Sequence, residues 1–152
     1  MYFYNLINIL TKDKNTVIYV DMDGVIASYD FGRPLEFDKK RPLTTNIKKL
    51  EEISKLDNVE LKILSACKKD FQIKEKNDWL DIHAPFFVKE NRIILSRESH
   101  DNIPSSEMKA NYLENINEDR QIIVLDDDNN VLKTIHNRLN HVICIQDSEM
   151  ID

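Results

Sequence analysis

The chain has 152 residues, enough for one domain with a full core and too few for two. Apolar residues make up 41% and charged residues 32%, a globular balance, and no apolar run nears the ~20 residues of a membrane span. The formal charge of −6 argues against a protein that coats nucleic acid, while leaving room for a local basic site for a phosphorylated ligand.

In chain order, the first ~15 residues lack the basic region and cleavage site of a signal peptide, and read as either a packed helix or a loose edge element. Residues 16–20 (TVIYV) form a buried strand that ends at Asp21. Residues 44–56 carry Ile47, Leu50, Ile53 and Leu56 on one helical face, with Thr44 or Thr45 as N-cap. A second strand spans 59–64, and a helix spans 70–81, with Phe71, Ile73 and Trp79 assigned to the core. Residues 86–88 and 92–95 are short strand candidates, of which one belongs in the main sheet. A helix follows from Ser105 or Ser106 to about Ile116. The strand at 121–125 (QIIVL), a helix at 129–139 and a last strand at 141–145 complete the chain.

This alternation predicts an α/β fold: a doubly wound, mostly parallel sheet covered by helices on both faces, in one domain over residues 1–152. In such sheets, ligands sit beyond the carboxyl ends of the strands. The two cysteines, Cys67 and Cys144, are too few for a disulfide scaffold or a cysteine zinc site and read as reduced thiols of a cytoplasmic protein. With glycine only at positions 24 and 32, neither a Walker A loop nor a G-x-G-x-x-G fingerprint is possible, so phosphate must be held another way.

Four features follow strands or open helices. Asp21 and Asp23 (DMDGV) project the same way from extended chain, and two adjacent carboxylates stay ionised only if a cation such as Mg2+ offsets their repulsion. Ser65 ends the second strand, where its hydroxyl and the following backbone N–H groups, from Ala66 on, can hold phosphate oxygens. Lys109, in the next-to-last helix, can neutralise an aspartate and a phosphate together. Asp126, Asp127 and Asp128 follow the most apolar strand, where three acids call for a cation or a helix N-terminus.

In this order the features resemble the four motifs of the haloacid dehalogenase (HAD) superfamily of aspartate-nucleophile phosphohydrolases, and DMDGV looks most like its 5′(3′)-deoxyribonucleotidase-like branch. The resemblance implies a Rossmannoid three-layer sandwich and a Mg2+-dependent phosphomonoester hydrolase. Asp21 would be the nucleophile that forms an aspartyl-phosphate, and Asp23 the acid and base. Ser65 and Ala66 would bind phosphate together with Lys109, which would also orient Asp21. Asp21, Asp23 through its backbone carbonyl, Asp126 and Asp127 would form the metal set, with the choice between Asp126 and Asp127 open.

The cap domain common in that family is reduced to a short insert at about residues 26–43. Such an open site suits a nucleotide or a larger phosphorylated partner, such as a nucleic-acid end or phosphoprotein, or is closed by a second subunit of a homo-oligomer. Arg33, Lys40, Arg41, Lys68 and Arg97 are substrate-side candidates, with Phe31 and Phe37 available for stacking and His100 beside them. His83, His136 and His141 have no metal-ligand spacing. Two other readings compete: a non-catalytic binding module on the same fold, and a phospho-aspartate receiver. The receiver is disfavoured because Lys109 precedes the acidic strand end.

Overall fold

Five parallel strands form one sheet in a computed structural model that describes residues 2–29 and 36–151. They are β1 (Thr16–Val20), β2 (Val59–Cys67), β3 (Arg92–Ser96), β4 (Gln121–Asp126) and β5 (Ile143–Gln146), in spatial order β3-β2-β1-β4-β5. Every neighbouring pair is parallel, so each connection crosses over through a helix. The expected doubly wound α/β architecture is present.

Side-chain alternation sets the layers. Ile18 and Val20 of β1, Leu61 and Ile63 of β2, and Ile123 and Leu125 of β4 enter one core. There they meet Phe3 and Ile7 of α1 (Tyr2–Thr11), Leu50 and Ile53 of α2 (Thr44–Ser54), and Trp79 and Leu80 of α3 (Phe71–His83). Val17, Tyr19, Ile122 and Val124 enter the other core, against Ala110 and Leu113 of α4 (Ser105–Asn115) and Val131 and Ile135 of α5 (Asn129–Arg138). Strands buried on both faces read as unbroken apolar runs, as TVIYV and QIIVL do.

Several expectations change. Of the two readings of the first residues, a packed helix or a loose edge element, the packed helix α1 is the one present. Residues 86–88 make a turn in which Phe87 is buried, so 92–96 is the strand that joins the sheet. The last strand starts at Ile143, because Val142 N–H still turns back to Leu139 O. Phe71 opens α3 on its solvent side and is half exposed, not core. The predicted caps Thr44 and Ser105 lie inside their first turns, after Leu43 and Pro104.

Candidate functional site

Register alone brings the acids together. Val20 lies opposite Leu125 and Ile63. The next residue along, Asp21, therefore stands beside Asp126 at the switch point between β1 and β4, where the sheet's winding reverses. Asp21 N–H donates to Leu125 O at 3.0 Å, which fixes the pair. After it, Met22 O accepts the N–H groups of Val25, Ile26 and Ala27 in a tight loop that Gly24 enters at φ +80°.

Lys109 reaches this strand end from α4. Its ammonium donates to Asp21 Oδ1 at 3.0 Å and to Asp126 Oδ2 at 2.7 Å, all three residues being buried. Burial pushes the Asp21 carboxyl up; Lys109 opposes this, while Asp126 and Asp23 add to it. Burial likewise raises Asp126 against the pull of Lys109. Burial disfavours the Lys109 ammonium, but Asp21 and Asp126 outweigh it and raise the lysine above its ordinary value.

Asp21, Asp126 and Asp127 each offer a carboxylate oxygen within 4.8 Å of one another, an oxygen-only set suited to a hard divalent cation. The three acids of the run take different tasks. Both Asp126 oxygens are engaged, one by Lys109 and one by Asp128 N–H at 3.0 Å. Asp128 caps α5 by accepting Asn130 N–H at 2.8 Å. Among the described residues Asp127 Oδ1 is buried with no hydrogen-bond partner, which fits an atom available to ligate a cation. Its other oxygen accepts the Tyr29 hydroxyl at 2.5 Å. Burial pushes the Asp127 carboxyl up to about 6, with the Tyr29 bond opposing and Asp21 reinforcing.

Asp23 points to the opposite wall. Lys76 Nζ donates to Asp23 Oδ2 at 3.0 Å, and Lys40 Nζ to Asp23 Oδ1. Burial alone would raise the Asp23 carboxyl, but Lys76 and Lys40 outweigh it and hold it below its ordinary value. The Asp23 side chain is therefore not part of the three-carboxylate cluster.

Lys76 was not among the residues singled out from sequence. It is 1% exposed, and its three protons go to Asp23, to Ser65 Oγ at 2.7 Å and to Ala66 O at 2.9 Å. The signal was there: in FQIKEKNDWL, Lys76 lies three residues before Trp79, on the buried face of α3. Ser65 itself is fully buried behind this ammonium, whereas Ala66, Lys76, Lys40 and Lys68 line the cavity.

The cavity has a volume of about 340 Å3 and opens over Asp21. Tyr29 and Phe37 are its aromatic walls, with Lys40 Nζ 4.9 Å from the Phe37 ring centroid. Of the other candidates, Arg97 is spent on loop carbonyls, donating to Ile103 O at 3.1 Å and to Asn102 O at 3.0 Å. His100 Nδ1 likewise lies 2.7 Å from Ser96 O. Arg41 is exposed and outside the cavity lining. Phe31 and Arg33 lie outside the described residues.

No family model matches the sequence, and no curated protein matches it. Among solved structures, the fold is similar to a chain in the structure of the Pnkp1/Rnl/Hen1 RNA repair complex, with a TM-score of 0.66 and 18% identity over 89% of this protein. A second structure of the Pnkp1/Rnl/Hen1 complex gives 0.65 and 16% over 89%. The protein spans less than half of those longer chains, 43% and 46%. At such identity the likeness shows a shared α/β fold. Among the described residues, no helix is long and apolar enough to cross a membrane.

Proposed function

We propose that the protein is a divalent-cation-dependent phosphomonoester hydrolase of the HAD type. The observation that carries this reading is the buried Asp21–Lys109–Asp126 arrangement with Asp127 beside it at the carboxyl ends of β1 and β4. Asp21 is the nucleophile. Its carboxylate attacks phosphorus, the bond from phosphorus to the leaving oxygen breaks, and an aspartyl-phosphate results. Asp23 gives the leaving oxygen a proton, then takes one from the water that attacks the aspartyl-phosphate and releases inorganic phosphate. To serve as acid, Asp23 must trade its two lysines for a proton, and an incoming phosphoryl dianion competes for those same ammonium groups.

Lys109 keeps Asp21 ionised and placed, while Lys76 and Lys40 face the equatorial phosphoryl oxygens. The residues that would hold Mg2+ are Asp21, Asp127 and Asp126, and the bound ion would supply charge neutralisation. Nucleotides are the first substrate class. The open cavity and the likeness to a chain of an RNA repair complex favour nucleotides at the end of a nucleic-acid chain over free ones.

The test is phosphate release with Mg2+ from 5′- and 3′-nucleotides and end-phosphorylated oligonucleotides, with Asp21→Asn in parallel. Release that vanishes in the variant is expected. Metal binding without release from any of these would make the protein a binding module on this fold.

A further inference from the structure

Gln72 is 5% exposed, lines the cavity and has a split role written into its amide. Its Oε1 accepts two backbone N–H groups of the loop after β2, from Lys68 at 3.1 Å and Lys69 at 3.0 Å. Two donors facing one atom settle which end of the amide is oxygen. The planar group then presents its NH2 on the other side. Among the described residues that Nε2 has no acceptor, although Gln72 is nearly enclosed. Nε2 is not among the enclosed unpartnered atoms, so it opens on the cavity, where water or a ligand oxygen takes its protons.

Its place in α3 says which part of a ligand that is. Gln72 and Lys76 are four residues apart, on one face of the helix. Lys76 reaches down to Ser65 and Asp23, whereas Gln72 sits one turn nearer the helix N-terminus, at the cavity mouth. In-line attack by Asp21 from the cavity floor sends the leaving oxygen toward that mouth. This direction rests on the phosphatase reading above.

We infer that Gln72 is a specificity-determining residue whose NH2 group donates to an oxygen of the leaving alcohol, so that the site prefers phosphomonoesters of hydroxyl-bearing sugars, as in nucleotides, over esters with no such acceptor. A site that offers a donor held in one orientation discriminates against ligands that cannot accept it once they displace the water there.

Gln72→Glu separates this role from loop support. The carboxylate still accepts the Lys68 and Lys69 N–H groups but offers no donor, so the melting temperature holds while Gln72→Met lowers it. Charge repulsion weakens all phosphate esters alike, and the ratio between two substrates cancels it. The expected result is a kcat/KM ratio of nucleoside monophosphate to phenyl phosphate that falls about tenfold or more in Gln72→Glu. An unchanged ratio overturns the inference and leaves Gln72 as a loop brace.

A binding readout runs independently of turnover. In Mg2+-loaded Asp21→Asn, the Gln72 side-chain NH2 resonances, identified by their loss in Gln72→Glu, should shift with nucleoside monophosphate and not with phenyl phosphate. If the wild type hydrolyses neither ester, the phosphatase reading falls. The resonance shift then decides the inference alone: a nucleotide-specific shift upholds it, and no shift or equal shifts overturn it.

Discussion

Lys109→Met tests the centre of the site. The substitution keeps an unbranched stem and removes the ammonium that sits 3.0 Å from Asp21 and 2.7 Å from Asp126. Both carboxylates are almost fully buried, so the little water that reaches them from the cavity replaces the ammonium poorly. Breaking a buried ion pair from one side costs about 3–5 kcal/mol, a large share of the ~5–15 kcal/mol that holds a domain together. With a urea m-value of about 2 kcal/mol/M, the unfolding midpoint in metal-free buffer at pH 8 falls by about 2 M. Two controls separate charge from packing. Lowering the pH should shrink the deficit, because Asp21 and Asp126 already hold protons more tightly folded than unfolded, and proton uptake removes the uncompensated charge. Mg2+ should restore more stability to the variant than it adds to the wild type, since a cation on Asp21 and Asp127 offsets the same repulsion. A midpoint shift below about 0.5 M, or one insensitive to both pH and Mg2+, would refute the reasoning.

Gly24→Ala should lower the urea midpoint by about 1–2 M: φ is +80°, and a Cβ there would fall 2.1 Å from Asp127 Oδ2 and 2.7 Å from Tyr29 Cε2. Mg2+ affinity should fall with it in calorimetric titration. Tyr29→Phe removes the hydroxyl that occupies Asp127 Oδ2 and should tighten Mg2+ binding by about 2–10-fold; weaker binding would show that the hydroxyl supports the metal set rather than competing with it. Away from the site, the Arg120 hydrogen bonds bring the Glu118 carboxyl down to about 2 against its burial. Its folded pKa lies below the unfolded one, so its stabilisation is whole above about pH 4.5 and is lost as pH falls toward 2. The stability gap between wild type and Glu118→Gln should close over that range in acid unfolding.

Legibility varied with how local the cause was. The strands at 16–20 and 121–125 were plain because burial on both faces demands continuous apolar residues. Asp21, Lys109 and Asp126 could be named because each follows a strand or faces one from a helix, and register then placed them together. Dividing Asp126, Asp127 and Asp128 was beyond reach, since it turns on which oxygen Lys109 and the α5 N-terminus claim. Lys76 and Gln72 stayed hidden for another reason. Polar residues on a helix are ordinarily read as its wet face, and only the position of Trp79 and Leu80 on the same side of α3 shows that this face is inward.

The charge balance of the cavity implies an order of binding. Among the described residues of its lining, Asp21, Asp23, Asp126, Asp127 and Asp128 bring five carboxylates against the four ammonium groups of Lys40, Lys68, Lys76 and Lys109, leaving the ionised site one negative charge over. A phosphoryl dianion entering alone would deepen that excess in a partly buried space, where opposing charges are poorly screened. A divalent cation first reverses the sign, and the same lysines that hold Asp23 then face an attractive anion. Inorganic phosphate should therefore bind measurably only in the presence of Mg2+, with affinity rising at least tenfold on adding the ion, and Asp127→Asn should abolish most of that gain. Equal phosphate affinity with and without Mg2+ would mean that the lysine wall works independently of the carboxylate cluster, and that the two halves of the cavity are not one site.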